Sequence, residues 1–373
     1  MKKETIASIL KAVIALVLIA ALVFVVIYQN RDYTIGGEIN IFKGDGGNAR
    51  VIEGYSVGRT TAFGDKVLLL TTNTLLLLDR RGRGEPLNVS FSDPDFSVRG
   101  RYILAYNDDG RLMALYRDGK LIYEKRTDAD IISAVVNENG YCAVAYREEV
   151  GETHIMIYNG EGTAFYSWNL GSGQFIGMSL SDDNTNLVIS SLSDASDSMR
   201  GELSFIRLDS EEKQALSTID DEIYFDVHMY RDHTVLALGS QQLDYYNSDG
   251  SLRWSLPYNG KALRSADISN PDMIVLCYTA ADSGLVGNST EVEIISRLGE
   301  VTASTSFDGL CENLSVNGDR FAVSAGKKIL IYNRRCELKR ELSSNSAVKR
   351  MSLFGDGKTV FALSGTSGSL IGE

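Results

Sequence analysis

From residue 38 onward the apolar positions come in short continuous runs cut by Gly, Asp and Asn. VLLL at 67–70, YILAY at 102–106, CAVAY at 142–146, TVLALG at 234–239 and MIVLCY at 273–278 are typical. Runs of this length without polar alternation predict strands buried on both faces, and helical periodicity is nearly absent. One set of turns falls at 44–47, 79–82, 117–120, 159–162, 208–211, 247–250, 297–300 and 333–336. A second set alternates with it, at 64–65, 99–100, 139–140, 182–186, 231–233, 270–271, 318–319 and 355–357. The markers Gly82, Gly119, Gly162, Ser210, Gly250, Gly299 and Cys336 are spaced by 37, 43, 48, 40, 49 and 37 residues. Two kinds of hairpin in alternation give four strands per repeat, the pattern of a β-propeller blade.

The register also predicts how the ring closes. With strands labelled a to d from the axis outward, the chain begins with a c–d hairpin at 38–54 and ends with an a–b hairpin at 347–365. Pairing the two would make an all-β, eight-bladed ring with no free sheet edge. Pro86 falls in an outer d strand, where a missing N–H is tolerated. Charges in LIYEKR (121–126), ELKREL (337–342) and ARVIE (49–53) protect outer edges against pairing with other chains.

Ahead of the repeats, residues 12–28 read AVIALVLIAALVFVVIY, uncharged throughout. As a helix this run reaches about 25 Å, the short end of a bilayer span. Lys2, Lys3 and Lys11 precede it, so the positive-inside rule keeps residues 1–11 cytoplasmic and exports the rest. Ala12 and Phe24 lie within the run, and Tyr28 takes the interfacial aromatic position. A cleaved signal peptide is the alternative. The apolar core exceeds the usual 7–15 residues and no A-x-A site follows it, which favours an uncleaved anchor. No Cys stands near its end to carry a lipid. The expected organisation is a cytoplasmic stub (1–11), an anchor (12–28), a linker (29–37) and an extracytoplasmic propeller (38–373) at the cell membrane.

Composition narrows the partners. The net charge is −12, and the first 30 residues carry +2, so the remainder is more acidic still. Such a surface repels phosphate backbones, and no nucleic-acid partner is expected. Hydrophobic residues make up 44% and Pro only 4 positions, which excludes a disordered tail and a collagen.

Motifs for chemistry are incomplete. Asp182, Asp183, Asn184 and Asn186 space oxygens like the start of a calcium loop, but Leu187 and Ser193 occupy the positions that need Gly and Glu, so the stretch reads as a turn. Gly357-Lys358-Thr359 lacks the upstream glycine of a phosphate loop, and Gly365–Ser369 misses a nucleophile elbow by its last residue. Ser346–Lys349 matches S-x-x-K in a strand-rich region, by chance. His228 and His233 flank a turn with Asp226 and Asp232 and read as a solvated hairpin. Cys142, Cys277 and Cys311 read as buried and Cys336 as an exposed thiol; Cys277 with Cys311 is the one conceivable pair. No cofactor, metal or catalytic residue is expected.

Three repeats share an aromatic four residues after a turn glycine: Trp254 after Gly250 (SDGSLRW, with Asp249), Tyr123 after Gly119 and Tyr166 after Gly162. On these residues the repeat resembles the quinoprotein-like eight-bladed propellers, which include the propeller lipoprotein of the outer-membrane assembly machinery. The arrangement as a whole is similar to an uncharacterised Gram-positive family of signal-anchored propellers. The resemblance covers about residues 38–365 and implies the fold without an activity. For the three aromatics the expected role is packing between neighbouring blades.

Three b–c connections are long, at 147–153, 191–201 and 279–290, and all open on one face. Glu148, Glu149, Asp194, Asp197, Met199, Arg200, Asp282 and Leu285 on them are the candidate contact residues. The tether enters on the same face, which would turn it toward the membrane. The expected role is a non-catalytic binding or scaffold module for an envelope or membrane protein. A small-ligand sensor and a quinoprotein-like or glycan-active enzyme are the alternatives, and the last would need a carboxylate cluster in the central funnel.

Overall fold

The computed structural model describes residues 39–40, 42–43, 49–52, 57–147, 152–171, 173–195, 198–210, 213–279, 289–364 and 367–372. The expected span at 12–28, with Ala12, Phe24 and Tyr28, lies outside them, as do residues 1–11 and the linker at 29–37. Among the described residues no helix is long and apolar enough to cross a membrane; the elements are strands.

Three short strands come first: β1 (Ile39–Asn40), β2 (Phe42–Lys43) and β3 (Ala49–Ile52). Antiparallel four-stranded units follow. The first contains β4 (Val57–Phe63), β5 (Lys66–Thr71), β6 (Leu75–Leu78) and β7 (Arg83–Pro86). The second contains β8 (Pro94–Arg99), β9 (Tyr102–Asn107), β10 (Gly110–Arg117) and the start of β11 (Lys120–Val136). The far half of β11 opens the third, with β12 (Cys142–Arg147), β13 (Thr153–Tyr158) and β14 (Ala164–Asn169), so these two units share one seven-stranded sheet. The fourth contains β15 (Gln174–Leu180), β16 (Asn186–Ala195), β17 (Ser198–Arg207) and β18 (Lys213–Asp220). The fifth contains β19 (Tyr224–Met229), β20 (Val235–Gly239), β21 (Gln242–Tyr246) and β22 (Leu252–Pro257). The sixth contains β23 (Ala262–Asp267), β24 (Ile274–Thr279), β25 (Ser289–Ile295) and β26 (Val301–Asp308). The seventh contains β27 (Asn313–Asn317), β28 (Arg320–Ala325), β29 (Lys328–Asn333) and β30 (Leu338–Ser343). The chain ends with β31 (Arg350–Leu353), β32 (Val360–Ser364) and β33 (Ser367–Ile371).

Closure differs from the expectation. The last sheet runs β2-β3-β33-β32-β31, so the carboxyl end supplies three inner strands and β3 is added outside β33, with Ala49 opposite Ile371. The expected amino-terminal c strand, β2, lies outside β3 as a fifth strand. The reason is the apolar alternation at the carboxyl end. Leu370 joins the cluster shared with the first unit and Ile371 the one shared with the seventh, both buried. β1 pairs instead with the outer edge of β7, at Arg83 and Gly84. The ring is therefore latched at both of its neighbouring outer edges by the same short segment.

Burial follows the sequence pattern. Some b and c strands, such as β6 and β20, are buried along their whole length, and the c strands β13 and β25 alternate buried with half-buried positions, whereas the d strands β14, β22 and β30 alternate exposed and half-buried ones. Each apolar cluster is shared by neighbouring units: Leu68 and Tyr116 join the first to the second, Leu115 and Val144 the second to the third, and Phe361 and Leu69 the last to the first. Serines pin the inner strands to one another. Ser97 Oγ accepts from Val136 N (3.2 Å), Ser179 Oγ from Met229 N (3.0 Å) and Ser315 Oγ from Leu353 N (2.9 Å).

The three aromatics pack as the repeat implied. Tyr123 lies against Gly162 in the next unit's turn, where a Cβ would stand 3.2 Å from the ring. Tyr166 donates from its hydroxyl to Ser210 O (2.8 Å), and Trp254 Nε1 donates to Arg297 O (2.9 Å). Trp254 also covers Gly299, where φ is +77° and a Cβ would come within 2.8 Å of the indole. Each outer aromatic thus reads the turn of the following unit; where Tyr123 and Trp254 do so, the turn carries a glycine at positive φ, needed for both backbone conformation and contact.

Candidate binding site in the channel and on its rim

The inner strands line a central channel. On the side of the turns that follow them it widens into a cavity of about 810 Å³. Inner strands meet water rather than another sheet along this edge, so charged residues are tolerated between their apolar positions. The groups that meet here come from distant repeats. Arg59 on β4 donates to Asp95 on β8 (2.5 Å), and its guanidinium lies 4.4 Å from the Phe96 ring centroid. Tyr106 Oη donates to the other Asp95 oxygen (3.2 Å).

Arg99, at the end of β8, crosses to the fourth and fifth units. Its Nη2 donates to Asp182 Oδ2 (3.0 Å) and to Met229 O (3.3 Å), and its Nη1 contacts the His228 ring. Burial, with Arg99 beside it, pushes His228 down to about 3, so the ring is neutral near pH 7 and serves as an acceptor. Asp182 Oδ1 accepts from Glu138 N (3.2 Å). Arg231 bonds Glu138 and lies 3.9 Å from Asp182 Oδ2. The fully buried Asn137 ties the neighbouring turns together, donating to Ser181 O (2.7 Å) and Asn184 Oδ1 (2.6 Å).

Asp226 on β19 and Asp267 on β23 differ from these pairs. Among the described residues no salt bridge reaches either. Asp267 accepts from Ser269 N (3.0 Å) and Ser269 Oγ (2.6 Å). Asp226 is open to channel water but closely walled by protein. That burial, then the charge of Asp267, pushes it up to about 6. Burial also raises Asp267. Among the described residues no group of three or more His, Cys, Asp or Glu side chains is arranged to hold a metal ion.

On the opposite rim, the described sequence candidates are Asp194, Met199 and Arg200. Glu148, Glu149, Asp197, Asp282 and Leu285 lie outside the described residues. Residues 191–195 and 198–201 correct the expectation of a loop: they continue β16 and β17 as a paired ladder, with Asp194 opposite Met199 and Ala195 opposite Ser198. β15 stops pairing at Leu192 and β18 at Arg200, so the last pairs of this ladder stand beyond both neighbours as an arm. Arg200 Nε donates to Asp220 Oδ1 (2.6 Å) at its foot. Ser190 Oγ donates to Tyr224 O (2.6 Å), and the next residue, Phe225, sits at a β-bulge with 48% of its surface exposed.

Two further expectations change. His228 is not in a solvated hairpin but packs into the channel wall, 4.9 Å from the Tyr230 ring; His233 does lie on the turn, 2.7 Å from Asp183. Cys336 is buried rather than exposed: it stands at a left-handed turn position (φ 56°) and belongs to the apolar cluster that includes Tyr332 and Met273. The channel groups escaped motif reading, since each unit supplies only one or two. Charged residues at alternate positions of the strand before each a–b turn, as at Asp95 and Arg99, were the available signal.

Comparison with solved structures places this ring among β-propellers. The C-terminal WD40 domain of Sif2 aligns with a TM-score of 0.59 at 14% identity, covering 91% of this chain and 99% of that one. The Dos1 propeller aligns at 0.56 and 13% identity, covering 84% and 92%. BamB from Moraxella catarrhalis aligns at 0.49 and 13% identity, covering 85% and 99%. No curated protein matches the chain. Residues 48–367 match the profile of a family of unknown function, DUF5711; the match spans most of the sequence, and the chain belongs to that family.

Proposed function

We propose that this propeller has eight blades, is held at the cell membrane by a single span at 12–28, lies outside the cytoplasm, and binds an envelope or membrane protein without chemistry of its own. The observation that carries the binding role is the β16–β17 arm with exposed Phe225 at its foot. A two-stranded arm on a rigid ring offers free backbone edges and an apolar anchor at little ordering cost, which suits protein recognition. Counting the shared seven-stranded sheet as two units supports eight blades. β1 runs antiparallel to β7, so it starts on the side where β7 ends, the side of the arm. That supports an arm turned toward the membrane.

The test is to replace residues 194–199 by a two-residue Asn-Gly turn. The ring should melt within a few degrees of the parent, while the protein co-purifying with the parent from membranes is lost. Retention of that protein by the shortened chain would refute the assignment.

The cavity of about 810 Å³ favours a second reading, a small-ligand sensor. Its polar groups are held in place before any ligand arrives. A polar small molecule that raises the melting temperature of the parent, but not of Arg99→Met, would support it.

A further inference from the structure

Cys277 and Cys311 are placed together by parts of the chain with different roles. Cys277 lies fully buried in the middle of β24. Cys311 belongs to the crossover from β26 to β27. Its N–H donates to Thr290 Oγ1 (2.9 Å), and that hydroxyl donates to Gly309 O (2.8 Å), so the crossover is fixed onto β25. Both thiols join one apolar cluster with Phe321 and Val323, and they meet side chain to side chain. They are free thiols here. Cys311 is itself buried, at 2% exposure, but it borders a second cavity, of about 760 Å³, on the rim that bears the arm. Arg264, Lys349 and Arg350 line that cavity, together with Glu312. Cys142 belongs to a different cluster, shared by the second and third units.

We propose that Cys277 and Cys311 are a redox pair, oxidised to a disulfide by a small-molecule disulfide that enters this cavity. The Cys311 thiolate attacks one sulfur of the oxidant, forms a mixed disulfide and expels the first thiolate. The three basic side chains outnumber Glu312 and would draw an anionic disulfide into the cavity. Cys277, deprotonated in the second step, attacks Cys311 Sγ, and the second thiolate leaves. Two protein thiols lose two electrons and two protons, and the oxidant becomes two thiols. The order is set by access, because Cys311 borders the cavity and Cys277 lies behind it. The neighbouring Cys311 and burial also hold the Cys277 thiol well above its ordinary range, so it acts as the resolving group. The product staples the crossover to β24 and fixes the join between the sixth and seventh units.

The test treats the purified protein with millimolar oxidised glutathione, then quantifies free thiols and maps peptides without reduction. The expected result is loss of two of the four thiols and one Cys277–Cys311 cross-linked peptide, with the same cross-link and the same loss of two thiols in Cys142→Ser and Cys336→Ser. In Cys277→Ser, Cys311 should be trapped as the glutathione adduct, and Cys311→Ser should leave Cys277 reduced. Melting curves of each variant confirm that it is folded. Cys277 and Cys311 both remaining free, or a cross-link involving Cys142 or Cys336, would overturn the proposal.

Discussion

Arg99 Nη2 and Asp182 Oδ2 are 3.0 Å apart, although one ends the inner strand of the second unit and the other sits in a turn of the fourth. Both side chains are largely withdrawn from water, at 18% and 9% exposure. Removing one partner of such a pair leaves a charge stranded in low dielectric, at a cost of about 3 kcal/mol. Arg99→Met should therefore destabilise the ring by that order in urea unfolding. Arg99→Met and Asp182→Asn should be non-additive by about 1 kcal/mol or more. Additivity within about 0.4 kcal/mol would show that the contact does not join these units.

The Asp226 carboxyl gives stability a pH signature of its own. Its folded value, about 6, lies above the ordinary range of about 3.9 expected in the unfolded chain. The folded state then holds more protons between these values, so this group removes stability as pH rises from about 4 to about 6. The penalty is complete above that window. Asp226→Asn should melt above the parent at pH 7.5, with the difference vanishing near pH 3.5. The charges that bear on it are Asp267 from β23 and Arg59 from β4. A constant difference across pH would contradict the assignment.

Trp254 tests the rule that links each outer strand to the following turn. Its ring stacks on Tyr245 with centroids 5.2 Å apart and planes at 16°. Trp254→Ala should cost about 3 kcal/mol. Trp254→Phe keeps the stacking but loses the bond to Arg297 O, and should cost about 1 kcal/mol. Gly299→Ala places a methyl against the indole at positive φ and should cost more than 1 kcal/mol (about). Unfolding midpoints that leave Trp254→Ala within about 0.5 kcal/mol of the parent would refute the rule.

Local physics made much of the fold readable. Leu75 to Leu78 are apolar without alternation because two neighbouring sheets cover them, and the glycine turns mark where each hairpin reverses. The Trp254 contact was legible for the same reason, since its spacing from Gly250 repeats. What long-range packing decides was not legible. β33 outcompetes β2 for the inner position through Leu370 and Ile371, and nothing in the sequence of either strand states which will win. Arg99, Asp182 and His228 meet because ring closure brings distant inner strands to one axis. Cys336 was misread because a turn residue was equated with an exposed one.

The binding role is tested most directly by photo-crosslinking in cells, with the photoreactive residue placed at Asp194, Met199 or Phe225 and, on the opposite side, at Asp319. The account predicts one membrane or envelope protein captured from the first three positions and absent from Asp319. Equal capture from both sides, or capture from Asp319 alone, would contradict it and move the binding surface to the channel mouth.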